Sequence, residues 1–304
     1  MSGPTVALIS RDNGVGLTVD MELLESILVP AGYSVFRTDW RAPRLPRPVD
    51  VAIFLELWNP RLARYAKKTV GIFNLEWFQN AWAKDLRTLD QLWAKSRESF
   101  DVYTKRLRLR NAHLTGFSSR DLNDPSVQRQ STALHLRGHS DFKNTHAVID
   151  AWRQDPTLPP LTIISSVPLE VPHYVRVLGR ISNEELRREM NAATFHVCPS
   201  RAEGWGHYIT EALSVGALVI STDASPMNEH VHPDWGALIR PSRSNRHGLV
   251  SVHDVTAQAV AEAVRRAAAT TEAARAEMSK RARASFEWRN HSFQVTALDL
   301  LARI

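Results

Sequence analysis

The chain has 304 residues, of which 43% are hydrophobic and 23% charged, ordinary globular values and enough chain for two domains with cores of their own. Its single cysteine, Cys198, excludes an internal disulfide framework, and no stretch reads as a signal peptide or as an apolar run long enough to span a bilayer, so a cytoplasmic protein is expected. The net charge of +6 is uneven: the first 129 residues carry 19 basic against 14 acidic side chains, the remainder 19 against 18, so the first part favours an acidic partner.

Residues 5–10 read as a strand, followed by the loop Arg11-Asp12-Asn13-Gly14-Val15-Gly16. Helical spacing then runs through Leu17, Met21, Leu24 and Leu28 to Pro30-Ala31-Gly32. Strand, glycine loop and helix make a Rossmann-like opening. Further strands are expected over 33–37, 49–55 and 69–73. The connector 41–48 contains three prolines and cannot be helical, which leaves an exposed basic loop. The third of these strands leads into Asn74-Leu75-Glu76-Trp77-Phe78, a carboxylate among aromatics at a strand end, where open α/β sheets place ligands. Strands over 92–96 and 112–117 close this part. Between them Lys105-Arg106-Leu107-Arg108-Leu109-Arg110 is either a solvated helix end or a phosphate-facing rim. Residues 121–130 lack periodicity and read as a linker, which divides the chain into domains 1–129 and 130–287.

The second domain opens with a strand over 131–136, the loop Arg137-Gly138-His139-Ser140-Asp141-Phe142-Lys143-Asn144, and a helix through Val148 and Trp152. Strands over 161–165 and 174–178 follow. Gly179-Arg180-Ile181 comes next, and Ser182 with Glu185 forms a capping box for a helix over 184–191. The apolar run Phe195-His196-Val197-Cys198 reads as a buried strand ending at Pro199. Then come Ser200-Arg201-Ala202-Glu203-Gly204-Trp205-Gly206-His207 and a helix starting near His207, stopped by Gly216 before a strand over 217–221. Helices are expected over 256–269 and 272–286, and a last one around 292–301.

The glycines of that turn let backbone approach a ligand, and free amides at a helix start favour an anion such as a diphosphate. Glu203 and Glu211, eight apart, would bracket such a ligand. Carboxylates repel phosphate but accept hydrogen bonds from sugar and ribose hydroxyls, so the chemistry suggests a nucleotide-sugar.

On these residues, Pro199-Ser200 through Glu203-Gly204-Trp205-Gly206 to Glu211-Ala212, the chain resembles the E-x7-E signature of retaining GT-B glycosyltransferases of the family 4 type. The resemblance is specific over residues 131–232 and loose over 1–130. It implies two facing Rossmann-like domains with parallel sheets, the donor on the second and the acceptor on the first, and a helix over 288–304 packing back on the first. Glu203 would contact the donor sugar, Glu211 the ribose, and Gly204, Trp205, Gly206, His207 and Tyr208 would line the diphosphate. Arg137, Gly138, Lys143 and Asn144 stand where the family has its diphosphate-neutralising loop, with His139 at the position of a usual Arg. Gly179-Arg180-Ile181 resembles the loop that holds the base, and Glu229 falls in the segment past the next strand. Asn13, Gly14, Val15 and Gly16 resemble the family's N-domain glycine loop. Glu76, with Trp77 beside it, replaces a cleft histidine and is an acceptor-side or base candidate.

The expected activity is transfer of a hexosyl or pentosyl group from a UDP- or GDP-sugar co-substrate, with retention. No Asp-x-Asp pair occurs in the sequence, so neither a metal nor another cofactor is expected. The acceptor is expected to be acidic, a hydroxymethylated DNA base or a cell-surface glycan or glycolipid. A nucleotide-sugar epimerase of the same fold and a non-catalytic nucleotide-sugar or nucleic-acid binding module remain alternatives.

Overall fold

The computed structural model describes residues 3–138 and 140–304, so His139 lies outside the described residues. Two compact units form: Met1–Arg120 with Gly248–Val250 and Arg289–Ile304, and Asp121–His247 with Ser251–Trp288.

The first unit contains β1 (Thr5–Ser10), α1 (Gly16–Leu28), β2 (Ser34–Asp39), β3 (Val49–Leu55), α2 (Pro60–Ala63), β4 (Ala66–Ile72), β5 (Gln91–Ala94), α3 (Arg97–Asp101) and β6 (Ala112–Leu114). Its strands form one parallel sheet in the order β2-β1-β3-β4-β5-β6. β3 is buried at every position but one, the near-continuous apolar run expected of a strand covered on both faces. Edge strand β2 has no fully buried residue.

The second unit contains β7 (Gln130–Leu136), α4 (Thr145–Gln154), β8 (Leu161–Ile164), β9 (Arg176–Leu178), α5 (Asn183–Ala192), β10 (Ala193–Cys198), α6 (His207–Ser214), β11 (Leu218–Thr222), α7 (Met227–His230) and β12 (Gly236–Ile239). A small pair β13 (Arg243–His247) and β14 (Val250–Asp254), α8 (Ala257–Ala268) and α9 (Glu272–Ala302) complete the chain. The sheet is parallel in the order β12-β11-β10-β7-β8-β9, a doubly wound arrangement that reverses direction between β7 and β10. The α/β class with two parallel sheets is therefore as the sequence implies.

The strands expected from apolar runs are present, and Ser182 and Glu185 form the reciprocal capping box. One helix differs. Separate helices over 272–286 and 292–301 are instead one helix of 31 residues. The intervening Glu287-Trp288-Arg289-Asn290-His291 contains no glycine or proline to stop it. Its last turns bury Phe293, Ala297, Leu300 and Leu301. Phe293 packs edge-on against Trp93 at 6.4 Å and lies 4.6 Å from Phe117 between ring centroids. The β13–β14 pair was not expected, because every residue of β13 is exposed and its sequence carries no apolar alternation. Cys198 is buried at the end of β10, and burial pushes its thiol pKa up. Among the described residues no helix is long and apolar enough to cross a membrane.

The first unit encloses an ion pair. Lys95, just past β5, donates to Asp20 on α1 at 2.7 Å, both side chains are 2% exposed, and the ammonium lies 4.3 Å from the Phe117 ring centroid. A buried pair is held by mutual attraction against a desolvation cost, so removing one partner strands the other charge. Lys95→Met should lower stability by roughly 3–5 kcal/mol in urea denaturation. Adding Asp20→Leu should recover part of that loss; a Lys95→Met protein as stable as wild type would contradict this account.

Candidate functional site

β7 and β10 lie side by side where the strand order reverses, and the loops leaving their carboxyl ends are neighbours for that reason. The loop after β7 passes Gly138, in the left-handed region at φ 58°, and makes one tight turn over Asp141–Lys143. Ser140 Oγ accepts from the Phe142 amide at 3.2 Å, and Asn144, also left-handed at φ 58°, turns the chain into α4. Asparagine tolerates that conformation better than most side chains. The loop after β10 is tied to the first by its backbone: the Arg201 amide donates to the Phe142 carbonyl at 2.7 Å. The Arg201 guanidinium holds Asp254 at 2.7 and 2.8 Å, which fastens the same loop to β14.

This tie brings Lys143 and Glu203 together. Lys143 Nζ donates to Glu203 Oε1 at 2.6 Å, with the two side chains 16% and 11% exposed. The ammonium lies 3.7 Å from the centroid of Tyr208, in the first turn of α6. Ser200 Oγ is hydrogen-bonded both to Glu203 Oε1 and to the Tyr208 hydroxyl. Burial, with Cys198 and Glu203 nearby, raises the Tyr208 pKa well above the ordinary phenol range, so the hydroxyl stays protonated. Lysine, glutamate, serine and tyrosine thus form one chain of contacts at the start of a helix. There Gly206, at φ 94°, takes the N-cap position with no side-chain cap bond. The first amides of a helix have no intrahelical acceptor and carry the positive end of its dipole. The site therefore offers a cation, helix amides and a carboxylate within one small volume, a combination suited to an anion carrying hydroxyl groups.

His230 and Trp235 hold the turn in place. The Trp205 carbonyl accepts from His230 Nε2 at 2.7 Å, the two rings meet edge to face at 4.3 Å, and Trp235 Nε1 donates to the His230 carbonyl at 3.1 Å. His135, on β7 and fully buried, spans the switch point: Nδ1 donates to the Val197 carbonyl of β10 at 2.7 Å. Its Nε2 accepts from Thr145 Oγ1, at the start of α4, at 2.9 Å. Burial, helped by Lys143 and Arg137, depresses its pKa to about 4, so it is neutral at physiological pH.

Of the residues singled out in the sequence, Lys143, Glu203, Gly206 and Tyr208 come together, with His207 opening α6 and Glu211 buried within that helix. Arg137 pairs instead with Asp141 at 3.5 Å beside Gly138. Arg180 and Ile181 follow edge strand β9 and make no hydrogen bond or ion pair with Lys143 or Glu203. Glu229, on α7, is hydrogen-bonded to Ser225. Asn13, Gly14, Val15, Gly16, Glu76 and Trp77 belong to the first unit. There Asn13 Oδ1 accepts from the Val15 amide at 3.1 Å and Asp12 Oδ1 from that of Gly14 at 3.1 Å, ahead of α1. Glu76 and Trp77 form a single turn after β4, and Trp77 is 54% exposed. Sequence reasoning passed over His135 and Thr145. A histidine in an apolar strand carries no sign of its partners, which come from β10 and α4.

The comparisons with known proteins agree with this architecture. Residues 167–285 match the family model described as glycosyl transferases, group 1, which is fewer than half of the residues. No curated protein sequence matches the chain. Among solved structures, a sucrose-phosphate synthase from Thermosynechococcus elongatus superposes with a TM-score of 0.77 at 15% identity, over 99% of each chain. Anabaena HepE in complex with UDP and glucose superposes at 0.75 and 14% identity, over 99% of this chain and 100% of that one. A glycosyltransferase from Rickettsia africae gives 0.76 at 11%, over 99% and 98%.

A Cβ on Gly206 would sit 3.2 Å from Ile209 Cδ1 in a backbone region that L side chains disfavour. Gly206→Ala should cost about 1–2 kcal/mol of stability, read by urea denaturation. Burial holds His135 and His196 to a pKa of about 4. Their folded pKa values are depressed, so below the ordinary value of 6.5 the unfolded chain binds more protons. The melting temperature should fall steadily from pH 6.5 towards pH 4; a profile that is flat or rising on acidification over that window would refute the buried neutral assignment.

These observations converge on one statement: the chain has the fold of the GT-B glycosyltransferases, and its second unit carries the match to the group 1 glycosyl transferase family model.

Proposed function

We propose that the protein is a retaining, family 4-type glycosyltransferase that binds a nucleotide-diphosphate sugar on its second unit and transfers the sugar to a hydroxyl acceptor. The observation that carries the reading is the contact of Lys143 with Glu203 beside the glycine-capped start of α6. The family model spans Glu203 and the start of α6, and HepE, of the same fold, is known with UDP-glucose, which makes UDP-glucose the first donor to try.

In this reading the diphosphate takes the place next to Lys143 and the amides of α6. Glu203 accepts from hydroxyls of the sugar and Glu211 from the ribose. The bond between the anomeric carbon and the phosphate oxygen breaks, and the cation and helix amides stabilise the charge left on the diphosphate. The acceptor oxygen forms its bond on the face that the diphosphate leaves, and its proton passes to the departing phosphate oxygen. Ser200, itself bonded to the Tyr208 hydroxyl, holds Glu203 while Lys143 exchanges one anion for another. An acidic acceptor, a hydroxymethylated DNA base or an anionic surface glycan or glycolipid, suits the basic excess of the first 129 residues.

Thermal unfolding with a panel of UDP- and GDP-sugars tests the donor. One donor should stabilise the protein by mass action, about 2.7 kcal/mol at a hundredfold excess over Kd. The shift should vanish in Glu211→Ala and Lys143→Ala. If no nucleotide or nucleotide-sugar moves the melting temperature of the wild type, the reading is wrong. With a donor in hand, retention appears in the anomeric proton couplings of the product, and an inverted product would reject the proposed stereochemistry.

A further inference from the structure

The first unit has its own reversal of strand order, between β1 and β3, and the crevice outside the carboxyl ends of two such strands is where parallel α/β sheets bind ligands. The first residues past these strands are Arg11 and Glu56. Glu56 is one of three non-glycine residues with left-handed backbone among the described residues, at φ 63°. Unlike asparagine, glutamate is not among the residues that visit this region routinely. Its amide donates to the Ile72 carbonyl at 2.9 Å, so the conformation is locked by the sheet. Its carboxylate is 8% exposed. A strained backbone carrying a buried charge is unfavourable on both counts, and such positions persist where a ligand is bound.

The surroundings say what the ligand is. Asn74, past β4, donates through Nδ2 to Glu56 Oε2 at 2.9 Å, which fixes the orientation of its amide and leaves Oδ1 buried with no hydrogen-bond partner. Glu56 Oε1 accepts no hydrogen bond from any described residue. Arg11 Nη2 lies 3.6 Å from it, beyond hydrogen-bond distance, on a side chain 54% exposed. Glu56 Oε1 and Asn74 Oδ1 are thus two acceptors without donors, and the exposed Arg11 guanidinium stands next to the first of them. We propose that Arg11, Glu56 and Asn74 form a binding site for a vicinal diol of a sugar, one hydroxyl donating to Glu56, its neighbour donating to Asn74 and accepting from Arg11. The identification of that sugar as the acceptor substrate rests on the glycosyl-transfer reading; the binding itself does not.

Saturation-transfer difference NMR on the full chain, with the methyl α-glycosides of glucose, mannose and galactose, tests this directly. At least one should receive saturation from the wild type, and the signal should persist in excess UDP. Glu56→Gln and Arg11→Ala should each reduce it at least fivefold, and the deoxy analogue lacking one hydroxyl of the pair should behave likewise. Glu56→Gly should lose the signal yet melt at a higher temperature than wild type, because glycine adopts this backbone freely, whereas a residue kept for structure alone would lower it. No transfer to any of the three glycosides, an undiminished signal in Glu56→Gln, or displacement by UDP would each overturn the proposal. Failure of the nucleotide panel alongside a Glu56-dependent sugar signal would refute the glycosyl-transfer reading and leave this site standing.

Discussion

A single backbone hydrogen bond, from the Arg201 amide to the Phe142 carbonyl, ties together the two loops on which the second unit depends. Each loop alone is a short turn with one charged side chain. Joined, they set Lys143 against Glu203 at 2.6 Å, with the ammonium over the ring of Tyr208 and Ser200 linking Glu203 to the Tyr208 hydroxyl. The bond is possible because β7 and β10 are adjacent although some sixty residues separate them, a consequence of the crossover that the doubly wound sheet imposes. His135 reinforces the junction from inside, joining β7 to β10 and α4 through both ring nitrogens. Being neutral, it does so without adding charge beneath a site that already holds a lysine.

The two units use the same sheet rule with different chemistry. In the second, the residues past the central strands approach a glycine-capped helix and include a cation, which suits phosphate. In the first, they are a strained glutamate, an arginine and an asparagine, short of donors rather than of charge, which suits hydroxyls. The first unit also spends a fully buried ion pair, Lys95 with Asp20, on fixing α1 to the end of β5. That helix follows the Asn13–Gly16 turn, whose amides are held by Asp12 and Asn13, so the pair also steadies the rim of the crevice.

Much of this was legible in the sequence. Apolar runs marked the central strands because strands covered on both faces have no polar side to show. Glycine and proline marked the turns, and Ser182 with Glu185 announced the start of α5, since a capping box is a local device. The motif from Pro199 to Glu211 declared a strand, a turn and a helix start, and that is how it folds. Where no breaker exists, between residues 286 and 292, the sequence reading stopped a helix that in fact continues, because the burial of Phe293 and Leu301 is a tertiary matter. β13 was invisible for the opposite reason, having no buried face to give it a pattern.

Local interactions, those within a few residues along the chain, were therefore determined by the sequence itself: strand and helix type, caps, the glycine turn and the order of charged residues around it. Tertiary structure decided which of those charges meet. Arg137, Arg180 and Lys143 all stood as cations on loops of the second unit, yet only Lys143 reaches Glu203: Arg137, on the same loop, pairs with Asp141, and Arg180 lies on the loop after β9. Glu56 carried no signal at all in one dimension. Its strained backbone and buried carboxylate arise from the register of β3 with β4 and from the side chain of Asn74, eighteen residues away, and pairing over such separations is set by the folded sheet rather than by neighbours in the chain.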